Sequence, residues 1–156
     1  MSVKEFLESI ESQQKRVQMM QEEYRRIRQS LDISGINYEN TGAVSATKRT
    51  DAMAEMIAEM VDFENEMKQE ECRLGAMKLK ATSAISKLCD DKERDVLYRW
   101  YLLYERELDI RASGYSRTSM YRHLNAGLNH LEILEQNGTN WDGESLDILE
   151  KMCYHR

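Results

Sequence analysis

No proline interrupts the 156-residue chain, and only seven glycines do. The two strongest helix breakers are therefore absent or rare. Long apolar runs are missing too. The longest, "WYLLY" at 100–104, is far too short to span a bilayer. The opening "MSVKEFLESIESQQKR" has no apolar core of a signal peptide, so a cytoplasmic chain is expected. Cysteine is sparse: Cys72, Cys89 and Cys153 lie far apart without CxxC spacing, and read as free buried thiols. There is no internal repeat and no low-complexity tract. A Gly-rich phosphate loop, a paired-His metal motif and a nucleophile elbow are all lacking, so the expectation is a non-enzyme without cofactor or metal. The asparagine-linked sequon at Asn137 has no meaning in a cytoplasmic chain.

What remains is helix-forming and charged. Charged residues make up 32%, and mean hydropathy is -0.71. This composition predicts an all-α soluble protein with much solvated helix surface. The formal charge is -6, unevenly spread. Residues 1–87 carry 13 basic and 15 acidic side chains, residues 88–131 carry 7 and 7, and residues 132–156 carry 2 and 6. Within the middle part, 110–131 holds Arg111, Arg117 and Arg122 and no acid at all. The overall acidity argues against a nonspecific nucleic-acid coat, but leaves room for one local basic face.

The first segment repeats in heptads. Val3, Phe6, Ile10, Gln13, Val17, Met20, Tyr24, Ile27 and Leu31 alternate in steps of three and four, and so do Met53, Met56, Met60, Phe63, Met67, Glu70, Leu74, Met77, Ala81, Ala84 and Leu88. Between them, glycines, asparagines and Ser/Thr mark a loop at about 32–50, with Thr50 or Asp51 as cap for the second helix. Residues 1–88 are thus expected as a long antiparallel helical hairpin, coiled-coil-like. Matching Leu31 with Met53 sets Gln13 opposite Glu70, the two polar seam positions in one layer. The methionine stripe reads as core; an adaptable partner surface is the other reading.

After Leu88 the texture changes. Asp90 with Glu93 forms a capping-box pattern, and "KERDVLYRWYLLY" sets Val96, Leu97, Trp100, Tyr101 and Leu103 for burial. A short helix follows over about Glu105–Ser113, then a Gly114 turn. Ser116 caps a third helix with Met120, Leu124, Leu128 and Leu131 as inner stripe. Three helices with a tight Gly-Tyr turn before the last describe a helix-turn-helix over 89–133, and 134–156 is a tail with a short acidic helix and Trp141 as anchor. A recognition helix needs donors and no carboxylate on its outer first turns, because a polyanion sits there. Arg117, Thr118, Ser119, Tyr121 and Arg122 meet that demand. His123 and His130 share a helix face but lack a third ligand.

The stretch "CDDKERDVLYRWYLLYERELDIRASGYSRTSMYRHLNAGLNHL" resembles region 4 of bacterial sigma factors, and more closely the sigma-like phage late-transcription regulators of the ArpU/RinA type. Glu93, Arg94, Val96, Leu97, Arg99 and, one place on, Tyr101 occupy that group's first motif. Gly114, Tyr115, Ser116, Met120, Tyr121, Arg122, His123 and Leu128 occupy its second. The resemblance covers about 45 residues and implies that Arg117, Thr118, Ser119 and Arg122 meet base edges or phosphates. By the same resemblance Arg99 and Arg111 are expected to flank the groove and hold backbone phosphates. For Arg99 an ion pair with Asp95 or Glu93 is the competing role. Asp109, Ser113 and Gly127 depart from the pattern, where an apolar residue, a large apolar residue and alanine are usual.

Two functions follow. The first is a DNA-binding transcriptional regulator, an activator of phage or prophage origin, that binds double-stranded DNA and uses the hairpin to form a homo-oligomer or to contact host RNA polymerase. The second is a phage structural or adaptor protein whose hairpin binds a protein partner and whose helix-turn-helix no longer reads DNA.

Overall fold

A computed structural model describes residues 1–34 and 46–136, with side chains for residues 1–30 and 54–135. Every regular element among them is helical: α1 (Val3–Ser34), α2 (Ala46–Ile85), α3 (Asp91–Leu97), a π-helical segment (Tyr98–Leu102), α4 (Glu107–Ala112) and α5 (Arg117–Gln136). The all-α class follows directly. No helix among the described residues is long and apolar enough to cross a membrane. The expectations placed on Trp141, on the tail helix, on Asn137 and on Cys153 fall outside the described residues.

The loop expected at 32–50 is narrower at both ends, because 32–34 and 46–50 are helical. Thr50 and Asp51 therefore lie inside α2, not ahead of it. Good helix formers on either side extend the helices past the polar residues that suggested caps. At the start of α1 the cap is reciprocal. The Ser2 N–H donates to Glu5 Oε2 at 2.7 Å, and the Glu5 N–H donates to Ser2 Oγ at 3.2 Å. This is a capping box, and the Ser2 backbone bond foremost holds the Glu5 carboxyl below its ordinary pKa.

Two compact units emerge, and they do not divide at residue 88. One comprises 1–14 and 72–136 of the described chain, the other 15–71. The first holds nearly all of the core. Val3, Phe6, Leu7 and Ile10 from α1 are fully buried, as is Ala81 from α2; Leu74, Met77, Ala84, Ile85 and Leu88 are almost so. The ends of the long helices belong with α3–α5 for reasons visible in their side chains. Arg106, just before α4, pairs with Glu11 at 3.3 Å. Lys78 donates to Gln14 at 2.7 Å and lies 5.3 Å from the centre of the Tyr104 ring. Burial pushes the Lys78 pKa down.

In the second unit Arg16 pairs with Glu70 at 3.1 Å, Gln21 donates to Glu71 at 2.7 Å, and Tyr24 donates to Glu64 at 3.0 Å. Matching Leu31 with Met53 would have put Tyr24 opposite Met60. The observed pairing lies about one helical turn away. Cys89 is free but exposed, and Cys72 is engaged in a disulfide, so the reading of free buried thiols is corrected for both.

The π-helical segment corrects the burial pattern of the third helix. Leu103 N–H reaches back five residues to the Tyr98 carbonyl, a wider turn than an α-helix makes. The phase slips by one residue. Leu102 is buried, and Leu103, expected inside, is 51% exposed. Tyr104 then takes a positive φ of 57°, which turns the chain away toward α4.

α3 and α5 approach closely at Gly127. A Cβ there would sit 2.7 Å from Leu97 Cδ1 and 3.3 Å from Glu93 Cβ. An alanine there does not fit without movement of the fully buried Leu97. Gly127→Ala gains about 1 kcal/mol of helix propensity and loses about 1–3 kcal/mol to overpacking. We expect a net loss of about 1 kcal/mol in urea unfolding. A gain in stability would show that Leu97 yields freely.

Candidate nucleic-acid interface

The site is built on α3, α4 and α5. Asp90 caps α3, its side chain accepting from the Lys92 and Glu93 N–H groups. The Lys92 bond foremost holds its carboxyl below the ordinary value. Glu93 does not close the expected capping box. Its carboxylate is buried and meets His130 Nδ1 of α5 at 2.7 Å. This ties α3 to α5 across the Gly127 crossing.

α5 presents its expected inner stripe. Met120 is 0% exposed, and Leu124, Leu128 and Leu131 are buried beside it. His123 is buried too, edge-on to the Tyr115 ring at 6.3 Å, and its Nε2 has no partner among the described residues. With that face inward, the opposite face of the first turns is outward. Gly114, at φ +105°, makes the turn into α5, a conformation that side chains with a Cβ rarely adopt. Ser116 Oγ accepts from the Ser119 N–H at 3.2 Å and caps the helix.

Both departures in the short helix have structural roles. Asp109 is the third residue of α4, and its carboxylate accepts from the Arg106 N–H at 3.1 Å. Ser113 ends α4, its hydroxyl donating to the Ile110 carbonyl at 2.7 Å. Ile110, fully buried, supplies the apolar anchor between them.

Ser116, Thr118, Ser119 and Arg122 line an open depression at the start of α5. The side chains of Thr118 and Arg122 have no hydrogen-bond or ion-pair partner among the described residues. Arg111, Arg117 and Tyr121 gather differently. All three reach Glu107 of α4: Arg117 at 3.3 Å, Arg111 at 3.6 Å, and the Tyr121 hydroxyl at 3.1 Å. Tyr121 also stands edge-on to Trp100 at 6.2 Å.

Arg99 is set apart. It pairs with Asp95 at 2.9 Å and with Glu105 at 3.2 Å. The Asp95 hydrogen bond foremost raises its pKa. The ion pair that competed with a phosphate role is thus the one observed, with Asp95 as the partner on α3. Asp95 also accepts from the Tyr115 hydroxyl at 3.0 Å, so one carboxylate ties α3 to the turn before α5. Burial first, and this bond second, raise the Tyr115 pKa.

Neither a family model, nor a curated protein, nor a solved structure matches this chain.

Glu107 escaped the sequence reading, although its i,i+4 spacing to Arg111 was a usable signal. Its meeting with Arg117 and Tyr121 depends on how α4 crosses α5, which spacing does not reveal.

Asp95→Ala leaves the half-buried Tyr115 hydroxyl without its acceptor, while Arg99 retains Glu105. The pair is partly solvated, so we expect a stability loss of about 1 kcal/mol. Amide exchange should rise most at residues 113–116. Uniform exchange would show that Asp95 does not fasten the turn.

Proposed function

We propose that this chain is a DNA-binding transcriptional regulator of phage or prophage origin, and that α3–α5 form a sigma region-4-like helix-turn-helix with α5 as the reader. One observation carries this reading. The outward first turns of α5 offer Ser116, Thr118, Ser119 and Arg122 around a depression, and no acid lies between residues 110 and 131. A helix start also carries partial positive charge and suits an anion. Arg122 is assigned to phosphate, and Thr118 and Ser119 to base edges or phosphate. Arg117, Arg111 and Tyr121 flank them. Arg99, held by two acids, is assigned to the frame.

A second reading has its own support. Acids accompany Arg99, Arg111 and Arg117, which favours an adaptor whose helix-turn-helix no longer reads DNA. Substitution on α5 separates the two. Arg122→Ala should weaken binding to all duplex sequences alike and reduce the salt slope by about one. Ser119→Glu adds repulsion at the helix start and should abolish duplex retention while circular dichroism stays unchanged. A folded Ser119→Glu that binds selected duplex as well as wild type would hand the function to the adaptor reading.

The long helices are assigned to assembly, as an antiparallel hairpin that pairs with a second copy of the chain. Within the unit of residues 15–71, Val17 is the one buried apolar side chain among the described residues. Met19, Met56, Ile57 and Val61 are each more than 40% exposed. Charge separates between the helices: residues 15–30 carry five basic and two acidic side chains, residues 54–71 one and seven. A two-fold pairing of α1 with the partner's α2 matches opposite charges and covers the exposed face. Light scattering should give twice the 18.4 kDa chain mass, and Ile57→Asp with Val61→Asp should give the monomer. A monomeric wild type would assign this face to another protein, host RNA polymerase being the expected one.

A further inference from the structure

We propose that Glu107 is an internal counter-ion that stands where a nucleic-acid phosphate binds, and that duplex binding exchanges its carboxylate for that phosphate. The inference rests on the DNA-binding reading above and goes further, because it assigns a role to an acid. Three donors from two helices converge on this one side chain. Arg117 and Arg111 both face Oε1, at 3.3 and 3.6 Å, and the Tyr121 hydroxyl donates to Oε2 at 3.1 Å. Two guanidiniums and a phenol form a donor set that suits carboxylate and phosphate oxygens alike.

The contact is poised for exchange. The Arg117 side chain is 70% exposed and that of Arg111 is 45% exposed. Ion pairs as solvated as these contribute little, so leaving Glu107 costs Arg117 little. A duplex phosphate offers the same geometry together with released counterions. Glu107 itself is only one quarter exposed and is anchored in the first turn of α4, so it remains beside the site as a standing negative charge. It therefore lowers affinity for every duplex alike. It also keeps Arg117 and Arg111 held against α4 while the protein is free.

The test is Glu107→Gln in the full chain. The amide keeps the size of the side chain and an oxygen to accept from Tyr121, and removes the charge. Binding to a generic duplex of about 20 base pairs is measured from about 50 to 200 mM salt, alongside thermal unfolding. Glu107→Gln should bind tighter, up to about tenfold at the lowest salt, with a salt slope steeper by up to about one. The gain should shrink when Arg117→Ala and Arg111→Ala are also present, since only direct repulsion between the carboxylate and the duplex then remains; a gain of the same size would show that Glu107 does not compete for these arginines. Wild type that binds duplex, with Glu107→Gln binding equally or more weakly at unchanged melting temperature, overturns the counter-ion role and leaves the DNA reading standing. Absence of duplex binding by both proteins at every salt overturns the DNA reading and this role with it.

Discussion

The close crossing of α3 over α5 is the constraint on which the rest of the small-helix region depends. Gly127 removes the side chain that would hold the helices apart, and Leu97 fills the space. The crossing fixes which way α5 faces. Met120, Leu124, Leu128 and Leu131 turn in, and Thr118 and Arg122 turn out. It also brings His130 to the buried Glu93, and the turn before α5 to Asp95. Removing a buried carboxylate's partner costs more than the pair itself contributes, so the Glu93 junction acts chiefly by making other arrangements worse, while the more solvated Asp95 junction contributes modestly.

The outward face is an electrostatic compromise. Free donors at the start of α5 sit beside cations that are already matched by Glu107, Glu105 and Asp95. In an acidic chain a bare cluster of arginines would attract carboxylates from anywhere. Partners fixed in geometry keep that attraction local and leave one end of the face open to an outside anion. Under the proposed reading, duplex affinity is expected to be moderate and salt-sensitive.

Much of this was legible in the residues alone, for identifiable reasons. The inner stripe of α5 follows helical period, the Ser116 cap follows side-chain chemistry, and Gly114 follows from a backbone conformation that needs no Cβ. These signals are local. Leu103 was misplaced because a π turn inserts one residue into the period, and nothing in "WYLLY" announces it. Asp109 and Ser113 depart from the resembling pattern, and spacing alone does not show that α4 starts at Glu107 and not near Glu105. With the start at Glu107 they become its first-turn acceptor and its end. The beginning of α2 at Ala46 was missed because polar residues near Thr50 resembled a cap. The Glu107 cluster joins residues that lie up to fourteen positions apart, and only the packing of α4 on α5 makes them neighbours.

The central claim is that the start of α5 meets DNA. Titrating the isotopically labelled full chain with unlabelled duplex at low salt, and following each amide resonance, tests it most directly. The account predicts that the largest shifts fall at Ser116–Arg122, with smaller ones at Glu107 and Arg111, and that α1 and α2 stay still. Shifts confined to the long helices, or none at any duplex concentration, would contradict it.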